Sequence, residues 1–470
     1  MTEPQAQSTK SLEIPVEDKK LIDDLRSRVA DQLTDFYDTD FNLYRWLLGF
    51  DRNIVQAEDR LRRALYVRKQ LCLDRSTEEL YIHPVIRDYY PGFLLNPEPG
   101  DTKVYTFLAE GLADICGMYM ATSVSQFLLS RLSQVELEFR AVLQVEAMTR
   151  KQCHVVVIMD FAGLKYDKWA WYAVKGSGRT AKYKVLRPQV EAMTRKQCHV
   201  VVIMDFAGLK YDKWAWYAVK GSLSTFVKLL SEYYADGLEQ VIIVNSGTMI
   251  QLMWKIIEPM LQSATRRKVK ILGSDWRDKL SQIIPKHRLP TMYGGTNDNP
   301  KYDFSSPQFL IPKSLYFDAN NSSMPSEICE CSLSRGTVRR FSFHVCYANC
   351  HLKVWLWSDG CYKFVVLYSE EELTSQDSQR ISYSLYPSKD PTTKSHAATM
   401  YYPELRLSGE FVPDHFEIPL TIVPCWYHVV LDNDSWLFSR QMRYSIEIVE
   451  SQNFTQQLST TACHTATQST

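Results

Sequence analysis

Residues Gln144–Ser177 read QVEAMTRKQCHVVVIMDFAGLKYDKWAWYAVKGS, and residues Gln189–Ser222 read the same, letter for letter. The copies are 34 residues long, offset by 45, and separated by the 11-residue spacer Gly178–Pro188. Stacked structural repeats drift in sequence and need about three or more units to bury a continuous core. Two unchanged copies joined by a basic, unpatterned spacer fit a duplicated exon or a faulty gene model better than a tandem module. Deleting 45 residues from any start between Gln144 and Gly178 leaves one and the same 425-residue chain. Each copy contains a β-branched run, His154–Met159 or His199–Met204, suited to a strand buried on both faces. Copy two, Gln189–Ser222, is expected to supply the central strand, because it continues directly into a helical segment. Copy one is then expected to be extruded, at a loop-closure cost that grows slowly with length. An exposed second VVVIM would be an aggregation hazard.

The repeat also distorts the charge balance. The 470 residues carry 54 Lys+Arg and 54 Asp+Glu, a formal net charge of zero. Residues 144–188 hold three acids and nine bases, so the chain without them stands at −6. Nucleic-acid binding usually needs a basic excess, and no nucleic-acid partner is expected. No apolar run approaches the roughly 20 residues of a membrane-spanning helix. The polar, acidic start Met1–Lys20 does not resemble a secretory signal. Of 11 cysteines, Cys329, Cys331, Cys346, Cys350, Cys361, Cys425 and Cys463 crowd the C-terminal third. Their C-x-C and C-x-x-x-C spacings lack the second pair that a zinc site needs, so free buried thiols and no metal are expected. The sequons at Asn320 and Asn453 are read as chance.

Along the chain, a short helix is expected at Glu17–Leu33 and a strongly helical stretch at Asp40–Leu73. Its second helix, Asn53–Leu71, sets Ile54, Ala57, Leu61, Ala64 and Leu65 at helical spacing. The polar face of that helix carries Arg60, Arg62, Arg63, Arg68 and Lys69, a solvated face or an anion contact. Then come a turn at Asn96–Gly100, a strand at Lys103–Leu108, an amphipathic helix at Ser123–Thr149 and the repeated strand. A helix at Lys213–Tyr234, strand Gln240–Val244, helix Met249–Leu261, strand Lys268–Leu272 and helix Trp276–Ile284 follow. This alternation predicts an α/β domain with a mostly parallel sheet. Beyond Pro300, period-2 runs at Arg340–Tyr347, Leu352–Trp357, Tyr362–Tyr368, Phe416–Val423, Tyr427–Leu431 and Tyr444–Val449 predict an all-β sandwich. Residues 451–470 hold nine Ser/Thr and four Gln, the composition of a disordered tail.

Catalytic signatures are sparse. Asp160 and Asp205 each end a buried strand, where α/β enzymes place carboxylates, yet an Asp ahead of a Gly turn serves equally as a cap. Asn245-Ser246-Gly247-Thr248 joins a strand to a helix without the glycine pattern of a nucleotide loop. No nucleophile elbow or zinc-protease motif occurs, and no catalytic set is expected. In Met249–Leu261, the narrow polar stripe Gln251, Lys255, Glu258 and Gln262 borders a broad apolar surface. That surface includes Met249, Ile250, Met253, Ile256, Ile257 and Met260, and it fits either a core helix or a lid over an apolar cavity.

Several of these residues fall into an ordered pattern. Arg45-Trp46-Leu47 with Phe50-Asp51, Ala57-Glu58 and Arg68-Lys69 resembles the helical start of the CRAL-TRIO lipid-binding proteins. Ile203-Met204-Asp205-Phe206-Ala207-Gly208 looks like their central strand. Tyr233-Tyr234, Ile242-Ile243-Val244-Asn245, Trp254-Lys255 with Glu258-Pro259, Thr265-Arg266-Arg267-Lys268-Val269, Leu289-Pro290 and Tyr293-Gly294-Gly295-Thr296 continue the pattern. Residues 314–450 resemble a GOLD domain, chiefly through Tyr427-His428-Val429-Val430-Leu431-Asp432-Asn433-Asp434-Ser435-Trp436. The pairing resembles the animal family that includes supernatant protein factor and tocopherol-associated protein.

The resemblance implies a leader (1–39), CRAL-TRIO N-terminal helices (40–77), a lipid-binding domain (78–297), a GOLD sandwich (305–450) and the tail (451–470). It implies a non-enzymatic cytoplasmic protein, peripheral at membranes. Such a protein takes up one phosphoinositide, other phospholipid, tocopherol or isoprenoid under a gate helix, here Met249–Leu261, with no further cofactor. Burying tails at about 0.8 kcal/mol per methylene makes such a cavity a substitute for the bilayer. An alternative is a trafficking or signalling adaptor that binds a protein partner through the GOLD domain, with lipid as regulator. In the phosphatidylinositol-transferring members an Arg, an acidic residue and a Lys hold the headgroup, and the motifs carry these to Arg68, Asp236 and Lys268. Two positions depart from that pattern. Ala235-Asp236 stands where those members have Pro-Glu, and Val200 (Val155 in copy one) stands where they have a hydroxyl. These departures leave a neutral or isoprenoid ligand open.

Overall fold

The computed structural model describes residues 14–161, 200–207, 238–247, 268–298, 309–320, 324–373, 380–387, 396–435 and 437–450. The lead-in is three helices, α1 (Val16–Val29), α2 (Asp40–Gly49) and α3 (Ile54–Gln70). Thr39 caps α2 and Asn53 caps α3, each side chain accepting a first-turn backbone N–H at 3.2 Å. Trp46, Leu43 and Leu47 of α2 pack with Ile22 and Leu25 of α1 and with Ala57 and Leu61 of α3. There follow α4 (Pro84–Tyr89), β1 (Gly92–Leu94), β2 (Lys103–Leu108), α5 (Ile115–Ala121) and α6 (Val124–Thr149). Helix α6 has 26 residues, starts in a capping box of Ser123 with Gln126, and ends on Arg150 at φ 57°.

Beyond α6 lie β3 (His154–Asp160), β4 (Val200–Asp205), β5 (Leu238–Val244), β6 (Val269–Ile271) and α7 (Trp276–Ile283). The sheet order is β1-β2-β3-β4-β5-β6, antiparallel at β1–β2 and parallel thereafter. The mostly parallel α/β sheet is thus present. One expectation about it is overturned. Copy one is not extruded, and copy two does not stand alone in the middle. Both copies are inner strands, paired parallel with zero offset from Val155↔Val200 to Asp160↔Asp205. The physical reason is that a parallel strand and its return connection form a self-contained unit. Residues 161–199 join β3 to β4, well over the dozen or so that a parallel connection requires. Duplicating the unit adds a strand without disturbing the register of its neighbours.

The C-terminal part is a sandwich of nine strands, β7 (Cys329–Leu333), β8 (Val338–Val345), β9 (Cys350–Ser358), β10 (Tyr362–Ser369), β11 (Tyr383–Ser384), β12 (Ala398–Leu407), β13 (Asp414–Leu420), β14 (Cys425–Asp432) and β15 (Arg440–Glu450). One sheet runs β11-β12-β10-β14-β8 and the other β13-β9-β15-β7. Every pairing is antiparallel except β11–β12. The core between the sheets includes Leu352, Val354, Phe364, Val366, Phe416, Tyr427 and Val429, with Phe364 and Phe416 stacked at 4.6 Å. All six expected strand regions are strands, and β7, β11 and β12 are additional. Among the described residues the cysteines are free. Of the C-terminal ones, Cys350, Cys361 and Cys425 are buried as expected, Cys329 and Cys331 are half-buried, and Cys346 is exposed. No described group of His, Cys, Asp or Glu could hold a metal, and no described helix is long and apolar enough to cross a membrane.

Helix α6 is the wall shared by all three parts. Ala141, Val142 and Val145 pack on Val104 of β2 and Val155 of β3. Val124, Leu128 and Leu132, together with Val67 of α3, join the sandwich core. The Ser125 amide donates to Asp414 Oδ1 of β13 at 2.9 Å, and the Tyr362 hydroxyl donates to Asp414 Oδ2 at 3.3 Å. Arg45 of α2 bonds Glu146 near the end of α6, and Glu146 also accepts the Cys153 amide at 2.8 Å. Glu146 and Cys153 both belong to copy one, so that copy is bonded into the framework. Nor is the basic face of α3 simply solvated. Arg62 is 3% exposed and pairs with Asp31 and Glu58, and Arg68 is fully buried.

Three outcomes follow from this architecture. The chain lacking residues 144–188 should fold with a single VVVIMD strand between β2 and β5. Cooperative urea unfolding followed by circular dichroism would show it, and a non-cooperative transition would contradict the unit-insertion account. Glu136→Leu removes the fully buried partner of Arg68 and leaves it the half-buried Asp74, and should cost about 3 kcal/mol, with Arg68→Leu/Glu136→Leu costing less than the sum of the single changes. Burial pushes the Asp414 carboxyl up from the ordinary 3.8 to about 6, against the hydrogen bonds from Ser125 and Tyr362. The folded protein therefore holds that proton more tightly than the unfolded chain. Its contribution is full below about pH 4 and is lost as pH rises through about 6, amounting to about 3 kcal/mol. Asp414→Asn should flatten that part of the stability–pH curve.

Candidate functional site

The two faces of the parallel sheet are covered differently. One face carries Phe107, Val156, Ile158, Val201, Ile203 and Ile242, all buried against Trp276 and Leu280 of α7 and against Leu289 and Tyr293. The other face is built of two cross-strand rows. Register places Thr106, Val157, Val202, Val241 and Val269 in one row. Leu108, Met159, Met204, Ile243 and Ile271 form the next. Val157, Met159, Val202, Met204 and Val241 are only half-buried although they sit on inner strands. An inner parallel strand is ordinarily covered on both faces. Half-buried aliphatic side chains on such strands form a surface, or floor, suited to an apolar ligand.

The floor is wider than one copy of the repeat could make it. Val157 and Met159 come from copy one, and Val202 and Met204 are their equivalents in copy two. At its C-terminal rim Phe161 and Phe206, again equivalent residues, stack at 5.3 Å with their rings within 11° of parallel. On the β2 side of the floor, Val157 and Met159 pack, as does Phe127 of α6, against a buried cluster that includes Leu108, Tyr90 and Met118.

The strand-end carboxylates occupy the opposite face. Asp160 and Asp205 are 8% and 5% exposed and stand beside each other in register. Asp205 Oδ1 accepts the Ala207 amide at 2.8 Å and Asn245 Nδ2 at 2.9 Å. Asn245 itself sits at φ 49°, a left-handed conformation that asparagine tolerates. Asp205 therefore caps the turn that follows its strand, and with Asn245 it fixes the ends of β4 and β5. Tyr293 lies over the pair, and burial, with the two carboxylates adding, holds its hydroxyl protonated far above the ordinary tyrosine range.

Of the expected headgroup residues, Arg68 lies in the seam between α3 and α6. Its two terminal nitrogens donate to Glu136 at 2.9 and 2.8 Å, and Asp74 Oδ1 accepts from Nε and Nη2 at 2.9 and 2.6 Å. The guanidinium also stands 4.7 Å from the Tyr37 ring centroid. Lys268 is half-buried and precedes β6, the sheet edge three strands beyond β3. Glu136, the partner of Arg68, lies on a different side of α6 from the residues that face the sheet. Asp236 and the gate residues Met249, Ile250, Met253, Ile256, Ile257 and Met260 lie outside the described residues. The floor itself had no motif to announce it. Its signal was the repeated Val-Val-Val-Ile-Met run, and its location depended on sheet order.

Comparison with known proteins matches residues 184–295 to the CRAL/TRIO domain model and residues 14–76 to a domain of unknown function, DUF8435. The first match spans copy two and everything through β6 and α7, while copy one, β2 and α6 precede it. The CRAL-TRIO domain-containing protein F28H7.8 of Caenorhabditis elegans is 23% identical over 373 residues, 78% of this chain and 79% of that protein. Phosphatidylinositol/phosphatidylcholine transfer protein SFH4 of Arabidopsis thaliana is 32% identical over 69 residues, 15% of this chain and 11% of that protein. The CRAL-TRIO domain-containing protein YKL091C of Saccharomyces cerevisiae is 32% identical over 91 residues, 17% of this chain and 29% of that protein. This chain thus spans most of the nematode relative but well under half of the plant and yeast ones. The parallel sheet, the family match and the similarity to the nematode protein together establish that the chain contains a CRAL-TRIO domain.

Proposed function

We propose that this protein binds a single hydrophobic ligand over the open floor of its parallel sheet and delivers or presents it at membranes. The half-buried aliphatic face on inner strands β3, β4 and β5 carries the reading. Its side chains, Val157, Met159, Val202, Met204 and Val241, offer no group that could make or break a bond. CRAL-TRIO family members are lipid-binding and transfer proteins, and the plant relative is named as a phosphatidylinositol/phosphatidylcholine transfer protein. In this reading Met249–Leu261 is the gate, with Met249, Ile250, Met253, Ile256, Ile257 and Met260 turned to the ligand. Asp236 and Lys268 are the headgroup contacts to examine first. Arg68 would join them only by giving up Glu136, which would leave a carboxylate buried without its partner. The sandwich is read as a GOLD domain that presents the loaded protein to a partner in the cytoplasm.

The test is mass spectrometry of organic extracts from the purified full-length chain, together with lipid transfer between vesicles. A stoichiometric co-purifying lipid and measurable transfer are expected. Met204→Lys places a charge in the middle of the floor and should lower loading by about tenfold or more while the chain stays folded. A lipid-free preparation that transfers nothing would overturn the reading.

A further inference from the structure

Two connections cross from one sheet of the sandwich to the other at the same end. Residues 334–337 join β7 to β8, and residues 433–439 join β14 to β15. The strands they join are paired, Leu333 opposite Arg440 and Val338 opposite Asp432, so the two loops lie side by side. One buried side chain laces them together. Asn433 has no exposed surface, and its Nδ2 donates to the carbonyls of Leu333, Ser334 and Phe438 at 3.0, 3.1 and 2.9 Å. Its backbone amide donates to the Thr337 carbonyl at 3.0 Å, and its Oδ1 accepts the Ser435 amide at 3.2 Å. Ser435 Oγ in turn accepts the amides of Leu437 and Phe438 at 3.3 and 3.1 Å.

The loop so fixed turns its apolar side chains outward. Leu437 is 37% exposed and Phe438 48%. Single exposed apolar residues are ordinary on a protein surface, whereas neighbouring ones held out by a hydrogen-bonded loop call for a partner. In the adjoining loop the chain turns at Gly336, at φ 69°, and Arg335 is exposed. The Arg440 guanidinium stands 5.9 Å from the centroid of the Phe438 ring. The acids at this end are engaged within the sandwich. Asp434 pairs with Arg406 at 2.7 Å, Asp432 pairs with Arg380 at 2.7 Å, and Asp359 Oδ1 accepts the Gln441 amide at 3.0 Å. The tip is therefore apolar at its point and basic at its side.

We propose that this loop pair is the membrane-contacting tip of the protein, with Leu437 and Phe438 entering the interfacial layer of a phospholipid bilayer and Arg335 beside them on an anionic headgroup. Area and charge select a bilayer as the occupant. A fully covered phenylalanine buries about 200 Å². Even with the leucine added, the tip stays well short of the roughly 800 Å² that each side of a stable protein interface covers. A bilayer needs no matching surface, and its hold on a peripheral protein grows with inserted apolar area and with basic residues near anionic lipid. The inference rests on the reading that the protein presents its ligand at membranes, and it names the part that touches them.

The test is co-sedimentation of the purified full-length chain with phosphatidylcholine vesicles, made with and without phosphatidylserine. The wild type should bind both, and more tightly where the serine lipid is present. Leu437→Ser/Phe438→Ser should weaken binding to both compositions by about tenfold, with the thermal unfolding midpoint unchanged. Arg335→Glu should remove the gain from phosphatidylserine and leave binding to phosphatidylcholine alone as it was. A wild type that binds neither vesicle, or a double variant that binds both as tightly as the wild type, would overturn the proposal. So would a wild-type self-association that the double variant loses while its vesicle binding persists, since the tip would then meet a second copy of the chain. Mass spectrometry of lipid carried by the same preparations tests the ligand reading separately. The double variant should carry the same load as the wild type, and a lipid-free wild type that still binds vesicles would remove the ligand reading and leave the tip standing.

Discussion

The ion pair of Arg68 with Glu136 holds together the part of the molecule from which everything else is hung. Neither side chain is exposed, and the two-pronged geometry satisfies both carboxylate oxygens. A buried pair of this kind gains little net stability over an apolar contact, but breaking it is costly, so it fixes where α3 sits on α6. With α3 fixed, Val67 reaches the sandwich core from one direction while Val124, Leu128 and Leu132 of α6 reach it from another. Arg45 and Glu146 repeat the arrangement further along α6, tying α2 to the start of β3. One helix thus sets the place of the lead-in, the sheet and the sandwich.

That arrangement gives each face of the sheet a different cover among the described residues. Helix α6 spans β2 and β3 on the floor side, and α7 covers the reverse. Beyond α6 the floor rows continue across β4 and β5, where Val202, Met204 and Val241 are half-buried and Ile243 is buried. The duplicated strand enlarges this surface and leaves its chemistry unchanged, since Val202 and Met204 repeat Val157 and Met159. On the reverse face the same duplication places Asp160 against Asp205, two acids brought together in register, with Tyr293 above them. Like charges directly opposite are unfavourable, so the added strand is not neutral on both sides of the sheet.

Local features were legible in the sequence. The helices expected to begin at Asp40, Asn53 and Ser123 are present, and the β-branched run of each copy is a strand. Sheet order was not legible, because side-chain periodicity says which face a strand buries and nothing about its neighbours. That is why copy one was expected outside the sheet it helps to build. Arg68 illustrates the same limit on a helix. Its spacing fits a solvated face equally well, and the partner that buries it lies 68 residues away. Strand β12 escaped notice because its alternation fails where Tyr401 and Tyr402 are both buried and its pairing with β10 shifts register.

The two identical strands have a consequence for how a sheet encodes its own order. If β3 and β4 changed places, every contact between them would be the same, so side chains alone cannot tell the permutations apart. Connectivity breaks the tie. Only residues 150–153 separate α6 from β3, which confines copy one to the position beside β2. The address of each strand is therefore written in its tether. The same hexapeptide is then read twice within one molecule, once between β2 and its twin and once between its twin and β5. Comparing a substitution at Val156 with the same substitution at Val201 would measure neighbourhood with composition held constant.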